Sequence, residues 1–145
     1  MENFELVPLE NGIFSLKSTQ NNETFHPAIG PQAEAEILHV QQQNIVELSR
    51  SNSDFVLWDV GLGAAANALT ALEAILNDPF RASGNRFTIE SFDKTTGPLE
   101  FALKNSQSLK YPKAYEALLK NLLENGSVKV NESIVWNFHL GDFCQ

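Results

Sequence analysis

Apolar and polar residues alternate through FELVPLENGIFSLKST on both sides of Asn11-Gly12, the pattern of two strands joined by a tight turn. QNNETFHPAIG follows and reads as a loop, with Pro27, Gly30 and Pro31 as breaks. From Pro31 to about Ser49 the period becomes helical. Ile37, Val40, Gln41, Ile45 and Leu48 fall near one face, and Pro31 suits a first turn. Residues 54–60, DFVLWDV, form a nearly continuous apolar run that predicts a strand buried on both faces. Ala64 to about Asn77 predicts a helix rich in Ala and Leu, stopped by Asp78-Pro79. RFTIESFD predicts a second strand. Helices are expected at roughly 97–107 and 111–125, the latter closed by Asn125-Gly126. SVKVNESIVWNFHLGD is either one bent strand or two strands around Asn131-Glu132.

From residue 54 onward the order is therefore strand, helix, strand, helices, strand. That order belongs to α/β folds with crossover connections and a mainly parallel sheet. The expected organisation is a single domain over residues 1–145. A hairpin and a helix occupy 1–50, and a βαβαβ half-sheet of Rossmann-like type occupies 51–145. With 145 residues and 43% hydrophobic content the chain is large enough for a real core. Its net charge of −8 argues against gripping nucleic acid through the overall field, so any RNA contact needs a local patch or a partner. A lone cysteine, Cys144, excludes an internal disulfide and fits the reducing cytoplasm. The Asn22, Asn125 and Asn131 glycosylation-type triplets are read as turn chemistry. No apolar run is long enough to span a membrane.

The chemistry concentrates in WDVGLGAAANALT, residues 58–70. A glycine turn between a strand and a helix lets backbone approach a ligand and points the helix N-terminus at it. Gly61-x-Gly63-x-x-Ala66 satisfies the alanine-ended dinucleotide fingerprint, but a ligand-free strand–helix connection explains the bare pattern equally well. Two acids shift the balance. Asp59, two residues before the first glycine, repels a pyrophosphate and welcomes a cationic group. Asp93, at the end of the next strand, suits a pair of ribose hydroxyls. Asp142, in LGD after the third strand, is a third carboxylate at that edge, placed for an adenine amine or a backbone amide. S-adenosylmethionine carries a ribose, a sulfonium and an ammonium and no phosphate, so the acid-flanked turn fits it better than NAD.

WDVGLGAAANALT, IESFDKTTGPLEFAL and VWNFHLGDF together resemble the MnmC-like methyltransferases. The family's glycine turn reads approximately E-x-G-F-G-T-G-x-N. Asp59 stands at its acid, Gly61 and Gly63 at the first two glycines, Ala65 at the third, and Asn67 at the asparagine. The phrase S-F-E-K-x-P-L is similar to Ser91-Phe92-Asp93-Lys94, with Pro98-Leu99 displaced by a short insertion, and F-G-D is similar to Leu140-Gly141-Asp142. The family's leader, an acid followed by an aromatic, is matched in NETFHPAIGPQAEAE and carried over onto Glu23 alone. The resemblance covers roughly residues 11–143. It implies a Rossmann-like sheet, S-adenosylmethionine as cofactor, and methylation of the aminomethyl group on the wobble uridine of tRNA.

Two departures qualify it. Ala65 puts a methyl where the family has glycine, which is tolerable if φ there is negative and helical. Family members also continue into a fourth strand closing on Asp-Gly-Phe-x-Pro, a segment these 145 residues do not contain. The expectation is an incomplete methyltransferase-like domain whose catalytic residue is unassigned. The glycine-turn strand would then keep an open edge that self-associates, pairs with the N-terminal hairpin, or awaits a missing half. The alternative is a non-catalytic interaction module derived from the same fold; a nicotinamide oxidoreductase ranks third because of Asp59. No metal set is expected. Glu36-x-x-His39 has the i, i+3 spacing of a carboxylate-bridged site but no second copy. His26 and His139 have no Ser or Cys partner in sequence, and the Phe residues, Trp58 and Trp136 read as core.

Overall fold

A computed structural model describes residues 3–27, 30–37 and 44–143. Among these residues two sheets are formed. The first holds β1 (Phe4–Pro8), β2 (Phe14–Ser18) and the two-residue β3 (Glu23–Thr24), antiparallel in the order β1-β2-β3. The expected hairpin is present, with Gly12 at φ +80 in its loop; β3 lies in a stretch read as loop. Hairpin and glycine-turn strand belong to different sheets, so that pairing does not occur.

The helix expected from Pro31 to Ser49 is not one helix. α1 is Pro31–Ala35 and α2 is Ile45–Ser51. Asn44 precedes α2 in a left-handed conformation, φ 53 and ψ 40, which an α-helix cannot pass through. Of the proposed face, Ile45 is buried and Ile37 and Leu48 are exposed; Val40 and Gln41 lie outside the described residues.

The second sheet runs β4-β5-β7-β6, from β4 (Asp54–Val60), β5 (Arg86–Asp93), β6 (Ser127–Asn131) and β7 (Ile134–Leu140). β4, β5 and β7 are parallel, and β6 is antiparallel to β7 with an irregularity between Lys129 and Asn131. The last segment is thus two strands around Asn131-Glu132. α3 (Ala66–Leu76) connects β4 to β5. α4 (Gly97–Lys104), α5 (Ser106–Leu109), a single 3₁₀ turn at Lys113–Tyr115 and α6 (Glu116–Asn125) connect β5 to the β6–β7 pair. α6 stops as its sequence dictates: Gly126 takes φ +73 and its N–H bonds Leu122 O at 2.8 Å.

Successive strand residues point to opposite faces, so the register defines two surfaces. The inner one carries Leu57, Phe87, Ile89, Ile134, Trp136 and Phe138. It packs with Leu69, Leu72 and Ile75 of α3 and Leu119 and Leu122 of α6 in one core cluster. The outer one carries Val56, Trp58 and Val60, exposed by 47%, 63% and 59%. β4 is an edge strand with one face only partly covered, and the expectation of burial on both faces is overturned. Its apolar run is misleading because the outer apolar residues face solvent. Trp136, fully buried, is core as expected, whereas Trp58 is not.

Candidate functional site

β4 delivers Asp59 on the inner face, one residue before its end. Directly beside it in register is Ser91 of β5. The Ser91 hydroxyl donates to Asp59 Oδ2 at 2.7 Å, and Trp136 Nε1–H donates to Ser91 Oγ at 2.8 Å. Ser91 and Trp136 are both fully buried, so a polar thread crosses three strands under the turn. Burial pushes the Asp59 carboxyl up to about 6; the Ser91 hydrogen bond opposes the rise and the charge of Asp93 adds to it.

The turn itself is held by β5. Gly61 and Leu62 both donate their N–H to Phe92 O, at 2.8 and 3.0 Å. Gly63 N–H donates to Asp93 Oδ2 at 2.8 Å, and Thr95 N–H to Asp93 Oδ1 at 3.2 Å. Asp93 O in turn accepts from Gly141 N–H at 2.8 Å. One residue thereby ties together the turn, the loop after β5 and the end of β7. Tyr111 adds an anchor from the far side, donating its hydroxyl to Ala64 O at 2.8 Å; burial raises its phenol above the ordinary range.

Gly61 and Gly63 take φ +87 and +55, as their lack of a Cβ permits. A Cβ on Gly61 would meet nothing within 4 Å, so the space above it is open; one on Gly63 would lie 3.5 Å from the Phe25 ring. Ala65 does not have the negative φ that would make alanine harmless. It is the N-cap of α3 at φ 68 and ψ 11, left-handed and fully buried. A left-handed L-residue costs about 1–2 kcal/mol, which explains the physical advantage of glycine there.

Asn67 lies in the first turn of α3, and its Oδ1 is buried with no hydrogen-bond partner. Asp59 and Asn67 line a cleft of about 170 Å³ between β4 and α3, together with Ile45, Ala68 and Ala71. A second cleft, about 180 Å³, lies beyond β5 and β7 and is lined by Phe92, His139, Gly141 and Asp142. Each is smaller than the roughly 300–1,000 Å³ that encloses a whole small-molecule ligand.

Asp59, Gly61, Gly63, Ala65, Asn67 and Asp93 are thus gathered around one turn. Asp142 stands at the end of β7, ion-paired with Lys94 at 3.7 Å. Glu23 is exposed in the other sheet; among the described residues of that segment, Phe25 reaches the turn. Sequence reasoning missed the Ser91 hydrogen bonds to Asp59 and Trp136 and the Tyr111 anchor. The inward-facing serine two positions before Asp93 was a usable signal only once the β4–β5 register was known. His139 has a partner of another kind: its Nε2 lies 2.6 Å from Glu90 Oε2 on the outer face, and Asn137 Nδ2 donates to Glu90 Oε1 at 3.0 Å. His39 of the Glu36-x-x-His39 pair and Cys144 lie outside the described residues. Among the described residues no group of His, Cys, Asp and Glu forms a metal site, and no helix is long and apolar enough to cross a membrane.

No family model matches this chain, and no curated protein matches it. A solved structure does. The crystal structure of MNMC2 from Aquifex aeolicus aligns with a TM-score of 0.68 at 22% identity, over 98% of this chain and 44% of that one. The chain therefore spans less than half the length of that structure. It shares with MNMC2 its fold, the Rossmann-like α/β sheet expected from the order of its elements.

Proposed function

We propose that this chain is the cofactor-binding half of a methyltransferase-type domain, with S-adenosylmethionine held across the carboxyl ends of β4 and β5. The observation that carries the reading is the state of the turn. A phosphate cradle needs free backbone N–H groups. Here the N–H groups of Gly61, Leu62, Gly63 and Ala65 are all taken by protein acceptors, and two carboxylates flank them. Such a turn disfavours a pyrophosphate and suits a ligand with hydroxyls and positive charge.

The residues fit that ligand. Each Asp93 oxygen accepts one backbone N–H and keeps a lone pair for a ribose hydroxyl. The open space over Gly61 allows close approach. Asp59 and the unpartnered Asn67 Oδ1 offer acceptors toward the ammonium side. Asp142 stands toward the adenine end; Glu23, in the other sheet, has no support as a contact. Bound S-adenosylmethionine supplies an electrophilic methyl group. The protein's part is to fix its orientation, so that an amine brought alongside is aligned for attack. By the family resemblance that amine belongs to a modified wobble uridine of tRNA, in the cytoplasm, and with a net charge of −8 the RNA must be held locally or by a partner. Self-association through the unpaired edge of β4 fits its exposed apolar residues.

Calorimetric titration with S-adenosylhomocysteine and with NAD tests the reading. Heat with the first only is expected, and Asp93→Ala should abolish it. Heat with NAD only, or an Asp93→Ala variant that binds as well as the parent, overturns it. Binding of neither favours an interaction module built on the same fold.

A further inference from the structure

We infer that the cleft between β4 and α3 is an exchange site, holding either a proton on Asp59 or the ammonium group of an amino-acid-type ligand, so that loading the site expels the proton. The inference rests on the S-adenosylmethionine reading above and adds a regulation to it.

Trp136 Nε1–H occupies a lone pair of Ser91 Oγ, which commits the single Ser91 hydrogen to Asp59 Oδ2. Ser91 is fully buried and cannot exchange that partner for water. The cleft beside it then presents Asp59 together with Asn67 Oδ1, which is buried and without a donor. Buried acceptors left unmatched are costly, and most native ones find a donor.

Among the described residues, none that lines the cleft carries a positive charge. β5 presents Asp93, a second acid, and the residues of α3 and α2 that line the cleft are Asn67, Ala68, Ala71 and Ile45, all uncharged. One donor can come from a proton, which neutralises Asp59; burial that pushes this carboxyl up to about 6 agrees with that state in mildly acid solution. A primary ammonium is the better match, because its three N–H groups serve both oxygens and its charge replaces the proton. The balance is simple: protonated Asp59 gives its proton to solvent, and the carboxylate pairs with the incoming ammonium.

Affinity for such a ligand therefore rises with pH until Asp59 is fully ionised. The test compares S-adenosylhomocysteine, which has the ammonium, with 5′-methylthioadenosine, which shares the nucleoside and lacks it. Titrations at about pH 5 and about pH 7.5 should show roughly tenfold tighter binding of the first at the higher pH and no change for the second. Asp59→Asn should bind S-adenosylhomocysteine weakly and with a flat profile. Binding of S-adenosylhomocysteine that is independent of pH, or a pH effect shared equally by both ligands, overturns the exchange while leaving the cofactor reading intact. Binding of neither ligand at either pH overturns both.

Discussion

Ser91 and Asp59, side by side on parallel strands, are joined by a 2.7 Å hydrogen bond whose direction is imposed from behind by the Trp136 indole. Removing the hydroxyl leaves both neighbours without their partner. Ser91→Ala should destabilise the protein by about 2 kcal/mol in urea or guanidinium unfolding, the cost of unpaired buried polar groups. A change below about 0.5 kcal/mol would show that the thread across the three strands contributes little.

Asp59 makes the fold less stable as pH rises. Its folded-state carboxyl is pushed up to about 6 from the ordinary 3.8, so between those values the folded chain holds a proton that the unfolded chain has released. The unfolded state binds fewer protons there, and stability falls with increasing pH by up to about 3 kcal/mol across the window. Asp59→Asn removes the titration. It should be more stable than the parent at pH 7, and the difference should vanish below about pH 4. Parallel thermal melts of the two proteins across that range would reveal it; a constant offset would argue against a raised Asp59.

Ala65 is the strained point of the turn. Ala65→Gly relieves about 1–2 kcal/mol of left-handed strain but loses a buried methyl and adds unfolded-state entropy, so its net effect should stay within about 1 kcal/mol. Ala65→Val places a β-branched side chain at φ 68 in a fully buried spot and should cost more than about 2 kcal/mol. Equal tolerance of the two substitutions would contradict the left-handed cap.

The two tryptophans should behave oppositely. Trp58 is 63% exposed and Trp136 is 0% exposed. Trp58→Phe should abolish the emission that acrylamide quenches and change stability by no more than about 0.5 kcal/mol. If chains pair through the β4 edge, sedimentation should show a dimer or larger species, and Val56→Lys should return it to monomer. A clean monomer of the parent at high concentration would count against that pairing.

The order of elements after residue 54 was readable in the sequence because each signal there is local. Asp78-Pro79 closes α3, Gly126 caps α6 through a positive φ, and Asn131-Glu132 turns β6 into β7. The gathering of Asp59, Gly61, Gly63 and Asp93 was also foreseeable, since parallel strands joined by crossovers bring their carboxyl ends to one edge. α1 and α2 failed as one helix because the left-handed Asn44 interrupts a pattern that periodicity alone cannot see broken.

What only the tertiary structure decided depends on register and on neighbours. An apolar run such as DFVLWDV does not say whether one face or two are covered; the sheet order makes β4 an edge strand and leaves Trp58 in solvent. The sign of φ at Ala65 follows from how the turn is tied to Phe92 and Asp93, residues about thirty positions away. The upward shift of the Asp59 carboxyl follows from burial, opposed by the Ser91 hydrogen bond and aided by the charge of Asp93. By itself the sequence determined the order of the elements from residue 54 onward and which acids reach the carboxyl edge of the sheet. Desolvation and the supply of hydrogen-bond donors are sums over residues distant in the chain, and only the folded structure brings those residues together.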